Sequence, residues 1–343
     1  LDRLADAASL DRLLESDPYR NLAWASALQE DMRARHLIDG GRLISSVLRP
    51  HFVSRRQLNT LAKAVETLSS ILDRLEPVIL NTPALLSRLQ VLPAEKLLAS
   101  LPVRSSHFSV TAVMDVHMQN GCMRFGEVRA STAPGTAYAD ALSDLFLELP
   151  LMKEFRKGTY KLKKMDPQKQ PLSSVLKAWK EFGGTHRPRI ALVEFKQQFA
   201  ADSSESLLLV EHFRQNGIDA QIVAPDQLEY ANGTLRSGEF IIDLVFRRLS
   251  TPELLVRYDL SHPLLQAYKE GTVCVVNSFR SDLAQRRAIF ELLTDDSVTA
   301  KLSSADRRFI HEFIPWTLLV AHAKVRRNEG VVDLPDYILK NRE

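Results

Sequence analysis

From Arg189 onward the chain alternates short apolar runs with helical ones, and this pattern constrains its fold more than any other feature. RIALVEF, AQIVA, FIIDLVFRR and TVCVVN read as strands, while SSESLLLVEHFRQNG and QRRAIFELL carry a helical period. Strands apolar along their whole length, separated by helices, imply a parallel sheet with helices on its faces. Only LEYANGTL breaks the rhythm, and its Asn232-Gly233 pair predicts a type I′ hairpin turn.

Upstream, Leu58, Leu61, Val65, Leu68, Leu72 and Leu75 recur at three- and four-residue steps, so the first hundred residues read as helices with one buried face. Between Ser109 and Arg129 the texture changes to two β-prone runs around Gln119-Asn120-Gly121, a hairpin signal. The second run delivers Glu127 and Arg129 into the small-residue loop 130–135, after which AYADALSDLFLEL resumes a helical period. A strand that ends in a short polar loop ahead of a helix is a common place for a ligand. Residues 153–188, rich in Lys, Pro and Gly, read as a connector carrying at most short helices, with KLKKMDPQKQP as a solvated basic loop. The expected units are a helical region over 1–105, a hairpin and connector over 106–187, a βαβ subdomain over 188–280, and a helical segment over 281–343.

Several function classes are excluded at this level. Forty-five basic against 42 acidic residues leave a net charge of +3, too small for a nucleic-acid surface. Cys122 and Cys274 lack the companions of a zinc site, and the nine histidines form no metal spacing. No Gly-rich phosphate loop and no GxSxG elbow is present. With no apolar run long enough to span a bilayer and no signal-peptide layout, the expected setting is cytoplasmic, with no membrane partner.

What is left is a set of charged residues at strand ends. Asp115 and Glu127 lie on opposite arms of the hairpin, Arg247 and Arg248 close FIIDLVFRR, and Arg286 and Arg287 open the helix after VVNSFRSDLAQ. Carboxylates facing arginines suit a metal–polyphosphate complex, since Mg²⁺ takes a few carboxylates plus phosphate oxygens and the guanidinium fork matches phosphate. Ordinary salt-bridged strand ends are the alternative.

The runs EVRASTAPGTAYADALSDLFLELPLMKEF, IDLVFRR, GTVCVVNSFRSDLAQRRAIFELLTDD, FIPWT and VVDLPDYILKNRE, in this order, resemble the circularly permuted type 2 ATP-grasp proteins often labelled glutathionylspermidine synthase-like. The resemblance implies an α/β protein: a helical N-terminal region and a partial permuted ATP-grasp core, similar to glutathione synthetase, with a βαβ substrate subdomain. It implies ATP-dependent carboxylate–amine ligation through an acyl phosphate, with ATP and Mg²⁺ as cofactors. Its partners would be a small-molecule or peptide-like carboxylate and an amine. A catalytically silent scaffold that keeps a substrate pocket or partner surface is the second reading.

Carried over by position, the family's Glu-x-Asn-Ala-Glu-Ser-Pro-Ala-Gly motif places a metal ligand at Glu127 and keeps Gly135, but Arg129 stands for Asn and Ser131 for Glu. Arg129 and Ser131 thereby fall at cofactor-binding positions. Arg247 and Arg248 match the family's basic pair after an apolar strand and are the catalytic candidates; Arg286 and Arg287 stand where a Lys-Lys pair reaches the phosphates. Pro315, Trp316 and Thr317 match a structural element. Arg129 opposes a divalent cation by on the order of 4 kcal/mol per charge pair at about 4 Å and an effective dielectric near 20. The family pattern continues into a Lys-Pro strand and Gly-rich loop beyond the position of Glu343, so the sequence is read either as a fragment or as a remnant lacking that clamp, and as inactive by itself. Glu127, Arg129, Arg248 and Arg287 are expected to meet at one sheet edge.

Overall fold

The structure, a computed structural model, describes residues 10–20, 23–39, 41–45, 50–105, 107–119, 122–157, 161–165, 169–195, 205–321, 323–327 and 330–341. Helix α1 (Ala23–Ala34) precedes α2 (Arg55–Leu80), the longest helix described, and α3 (Pro93–Ser100) follows it. Ser54 and Gln57 form a reciprocal capping box that fixes the start of α2. The predicted leucine face is its core face: Leu68, Leu72 and Leu75 are buried with Ile71 and Ile79.

The hairpin strands β1 (Val113–Gln119) and β2 (Cys122–Arg129) pair antiparallel, with Asp115 opposite Glu127 and Val113 opposite Arg129. The turn at Asn120-Gly121 lies outside the described residues. A bulge leaves Gly126 unpaired, since Asp115 faces Glu127 and Val116 faces Phe125. That extra residue resets the alternation, so Met123, Phe125 and Val128 all point inward while Glu127 and Arg129 stay on the outer face. Helix α4 (Thr136–Glu148) follows.

The connector contains more structure than its composition predicts: α5 (Lys169–Phe182) is a helix of 14 residues. Leu172, Val175, Ala178 and Trp179 form a buried face there, and this local period outweighs the flanking Lys, Pro and Gly. Next come β3 (Ile190–Val193), α6 (Glu205–Gln215), β4 (Ala220–Val223), and the strands β5 (Glu229–Ala231), β6 (Thr234–Ser237) and β7 (Phe240–Ile241) of a small antiparallel sheet. Asn232 (φ 51°) and Gly233 (φ 73°) both adopt the left-handed conformation that a type I′ turn requires.

FIIDLVFRR is two strands, not one. Phe240–Ile241 belongs to the small sheet, and β8 (Leu244–Arg247) to the parallel one. Asp243 sits at the break, where its carboxylate accepts hydrogen bonds from the backbone N–H and the guanidinium of Arg189. After α7 (Pro263–Glu270), β9 (Cys274–Val276) completes a four-stranded parallel sheet of order β9-β8-β3-β4. Its residues alternate between two cores. Ile190, Leu192, Leu244 and Phe246 face α5 and α6, whereas Ala191, Val193 and Val245 face α7 and the small sheet. Cys274 is buried in the first of these, and burial pushes its thiol up to about 12, so it is an inert packing residue.

A third core joins α2, the hairpin, α8 (Ala288–Leu293) and α9 (Ser304–Phe313). Arginines stitch its rim: Arg88 to Asp295 and Glu291, Arg74 to Asp306, Arg280 to Glu76. Hydrogen bonds from Arg74 and Ser303 hold Asp306 below its ordinary 3.8, against the opposing effect of partial burial. For Asp295 burial pushes upward, and hydrogen bonds from Ser297 and Arg88 outweigh it. A depressed carboxyl stabilises the fold fully above its unfolded pKa and loses that stabilisation as pH falls through the folded one. Melting temperature is therefore expected to fall on acidification below about pH 4, and more shallowly in Asp306→Asn, in a thermal-melt series. β10 (Lys324–Arg327), β11 (Gly330–Asp333) and α10 (Leu334–Lys340) end the described chain. No helix described is long and apolar enough to cross a membrane.

Candidate functional site

In the parallel sheet, β3 connects through α6 to β4 on one side, and β8 connects to β9 on the other. The switch point therefore lies between β3 and β8, whose carboxyl ends open the crevice where ligands of such sheets bind. Glu194 follows β3, Arg248 follows β8 and Asn277 follows β9, and the backbone N–H of Arg248 donates to Val193 O at 2.9 Å. The loop 130–135, between the hairpin and α4, meets these ends through Arg248 and Asn277.

Almost every turn of that loop is held by a side chain from elsewhere. Asn277 donates to Ala130 O and Thr111 O, and its Oδ1 accepts from the N–H groups of Val110 and Thr111, both at 2.9 Å. Gln285 Oε1 accepts from the N–H (3.1 Å) and the Oγ (2.6 Å) of Ser131. Arg248 Nη1 donates to Thr132 O and to Ala133 O, and its Nη2 pairs with Glu205 at 2.5 Å. Glu205 in turn accepts from the N–H groups of Gly135 and Ala137, each at 2.8 Å, at the amino end of α4. Gly135 (φ 101°) and Ala133 (φ 40°) are both left-handed, and for Ala133 this costs roughly 1 kcal/mol. The arrangement at α4 is an anion cradle, two amides and an arginine at a positive helix end, filled by the protein's own carboxylate. Burial, reinforced by Asp39 and Glu205, raises the pKa of the adjacent Tyr138.

The predicted site residues divide into three groups. Glu127 and Arg129 lie together on the outer face of the hairpin, where Arg129 hydrogen-bonds Asp115 and its Nε lies 3.6 Å from Glu127 Oε2. The hydrogen bond that Arg129 donates to Asp115, then the charges of Asp115 and Glu127, outweigh desolvation and raise the Arg129 pKa further. Ser131 and Arg248 belong to the buried loop, and Ser131, 2% exposed, directs its hydroxyl to Gln285 and not to a cleft. Arg286 is ion-paired with Glu95, while Arg287 is exposed and its side chain makes no hydrogen bond or ion pair among the described residues. Among the described residues no hydrogen bond or ion pair joins the Glu127–Arg129 pair, Arg248 and Arg287 to one another, so the expected meeting of all four at one point is not seen in their contacts.

Arg247 corrects the expectation of an anion-binding pair. It is 0% exposed and donates to the carbonyls of Asn277, Ser278 and Leu249, to Thr251 and Ser281, and to both oxygens of Asp282 (2.5 and 3.2 Å). Its guanidinium also stacks over Phe279 at 4.9 Å. No N–H of Arg247 is left for a ligand. Glu205, Asn277 and Gln285 are the residues the sequence reading missed. Glu205 carried one usable signal, an acidic residue in the first turn of a helix that follows a buried strand.

The donor set also bears on magnesium. Among the described residues no group of three or more His, Cys, Asp or Glu could hold a metal ion. The two hairpin carboxylates are bridged by Arg129, a cation already at the place a second cation would take. These residues do not fit Mg²⁺.

No family model and no curated protein matches the sequence. Solved structures do. A glutathione synthetase-like effector from Globodera pallida, solved in the apo form, superposes with a TM-score of 0.60 over 88% of this chain and 71% of that one, at 13% sequence identity. The fold is therefore glutathione synthetase-like, that is, ATP-grasp-like.

Proposed function

We propose that this chain is an ATP-grasp-like ligase scaffold in which magnesium-dependent carboxylate–amine ligation is silent, and that it acts as a binding protein. One observation carries the reading: Arg129 is ion-paired to both Asp115 and Glu127. In the circularly permuted, glutathionylspermidine synthase-like pattern the position of Arg129 belongs to an asparagine that helps hold Mg²⁺. Here the guanidinium already stands between the two carboxylates, which disfavours a metal there. Further support comes from the loop 130–135 and the start of α4, where the carbonyls of 130, 132 and 133 and the amides of 131, 135 and 137 are already partnered by Asn277, Gln285, Arg248 and Glu205.

The ligase reading keeps one observation in its favour, the placement of Asp115 directly opposite Glu127. Incubation with ATP, Mg²⁺, a peptide-like carboxylate and a polyamine separates the two. The proposal expects ADP release no faster than in Glu127→Ala; release well above that control would restore the ligase.

A further inference from the structure

A groove of about 770 Å³ lies away from the crevice, between α2 and α9. The helices are tied at one end by Arg74 and Asp306, bonded through both guanidinium nitrogens at 2.9 Å. Toward the start of α2 they leave an open channel, with Ala64, Phe309 and Phe313 as its floor. The two rings stack with centroids 4.6 Å apart, and Phe309 continues inward to Phe125, 6.4 Å away, so the floor is an outcrop of the third core. Along the α2 wall stand Arg55, Arg56 and Lys63, all exposed, with Asn59, Thr60 and Thr67 between them. Among the described residues no hydrogen bond or ion pair engages the three cationic side chains, and no carboxylate lines the groove; the nearby Glu66 and Glu312 are not among its walls.

We infer that this groove docks an acidic amphipathic segment of a protein partner. Positive charge without internal compensation, beside an apolar floor, complements a ligand that carries carboxylates along one side and an aliphatic or aromatic anchor on the other. The cations settle the class further. Arg55 and Arg56 lie two helical turns from Lys63, and the wall from Arg55 to Thr67 runs about 18 Å at the helical rise. A compact phosphate needs converging cations, whereas a ladder of this length matches successive turns of a helix laid along the groove.

The test uses the whole chain and a fluorescein-labelled peptide of about sixteen residues, glutamates on one helical face and Leu and Phe on the other. A second peptide has lysine for every glutamate, and ATP and an oligothymidylate serve as competitors. Anisotropy is expected to show saturable binding of the acidic peptide alone, weakened about tenfold or more in Arg55→Glu/Arg56→Glu/Lys63→Glu and by added salt. These positions are exposed, so the fold is expected to survive the triple change, checked by circular dichroism; Phe313→Ala should also weaken binding. Equal binding of the lysine peptide, binding indifferent to charge reversal, displacement by oligothymidylate or ATP, or no binding of the acidic peptide would each overturn the inference.

Discussion

Arg247→Met is expected to destabilise the protein by about 3–5 kcal/mol, because it leaves Asp282 buried without its counter-charge. Asp282 is 4% exposed, and Arg247 supplies hydrogen bonds to both its oxygens. Three backbone carbonyls at the ends of β8 and β9 lose their donor as well. Methionine keeps the length of the side chain, so the effect isolates charge and hydrogen bonding from cavity formation. Urea unfolding measures it as a shift in midpoint at unchanged slope. Arg247→Met combined with Asp282→Leu should recover much of the loss, since a buried pair can be exchanged for apolar packing. A ligand-binding Arg247 would behave in the opposite way, with stability unchanged.

Glu205→Ala is expected to cost a similar amount, about 3–5 kcal/mol, by stranding the buried Arg248 and the amides of Gly135 and Ala137. All of these donors meet one carboxylate. The local signature is hydrogen exchange: the amides of 135 and 137 should lose protection in Glu205→Ala well beyond what global destabilisation gives. A double-mutant cycle with Arg248→Met should return a coupling of up to about 3 kcal/mol. Unchanged protection at both amides would mean that Glu205 does not hold the loop.

What the sequence made legible was whatever repeats at short range. The leucine spacing of α2, the Asn232-Gly233 turn and the apolar strands around α6 all follow from local periods. Even the fate of Arg247 was partly encoded: two positions after Val245 on the same strand, it shares the face that α7 and the small sheet cover. Glu205 was not legible as a partner of Gly135, 70 positions away, nor Asn277 as a partner of Val110, 167 away. Such pairs depend on how the hairpin docks on the sheet, which no local period reports. Charged residues at strand ends look alike whether they bind a ligand or one another, and Arg129 was legible only as the wrong charge for a metal.

Titration with Mn²⁺, followed by its electron paramagnetic resonance signal, tests the central role of Arg129. Wild type should bind no Mn²⁺ through the hairpin carboxylates, Arg129→Asn should gain a site at least about tenfold tighter than any in wild type, and Arg129→Asn/Glu127→Gln should lose it again. Binding by wild type as tight as by Arg129→Asn, abolished by Glu127→Gln, would contradict the account.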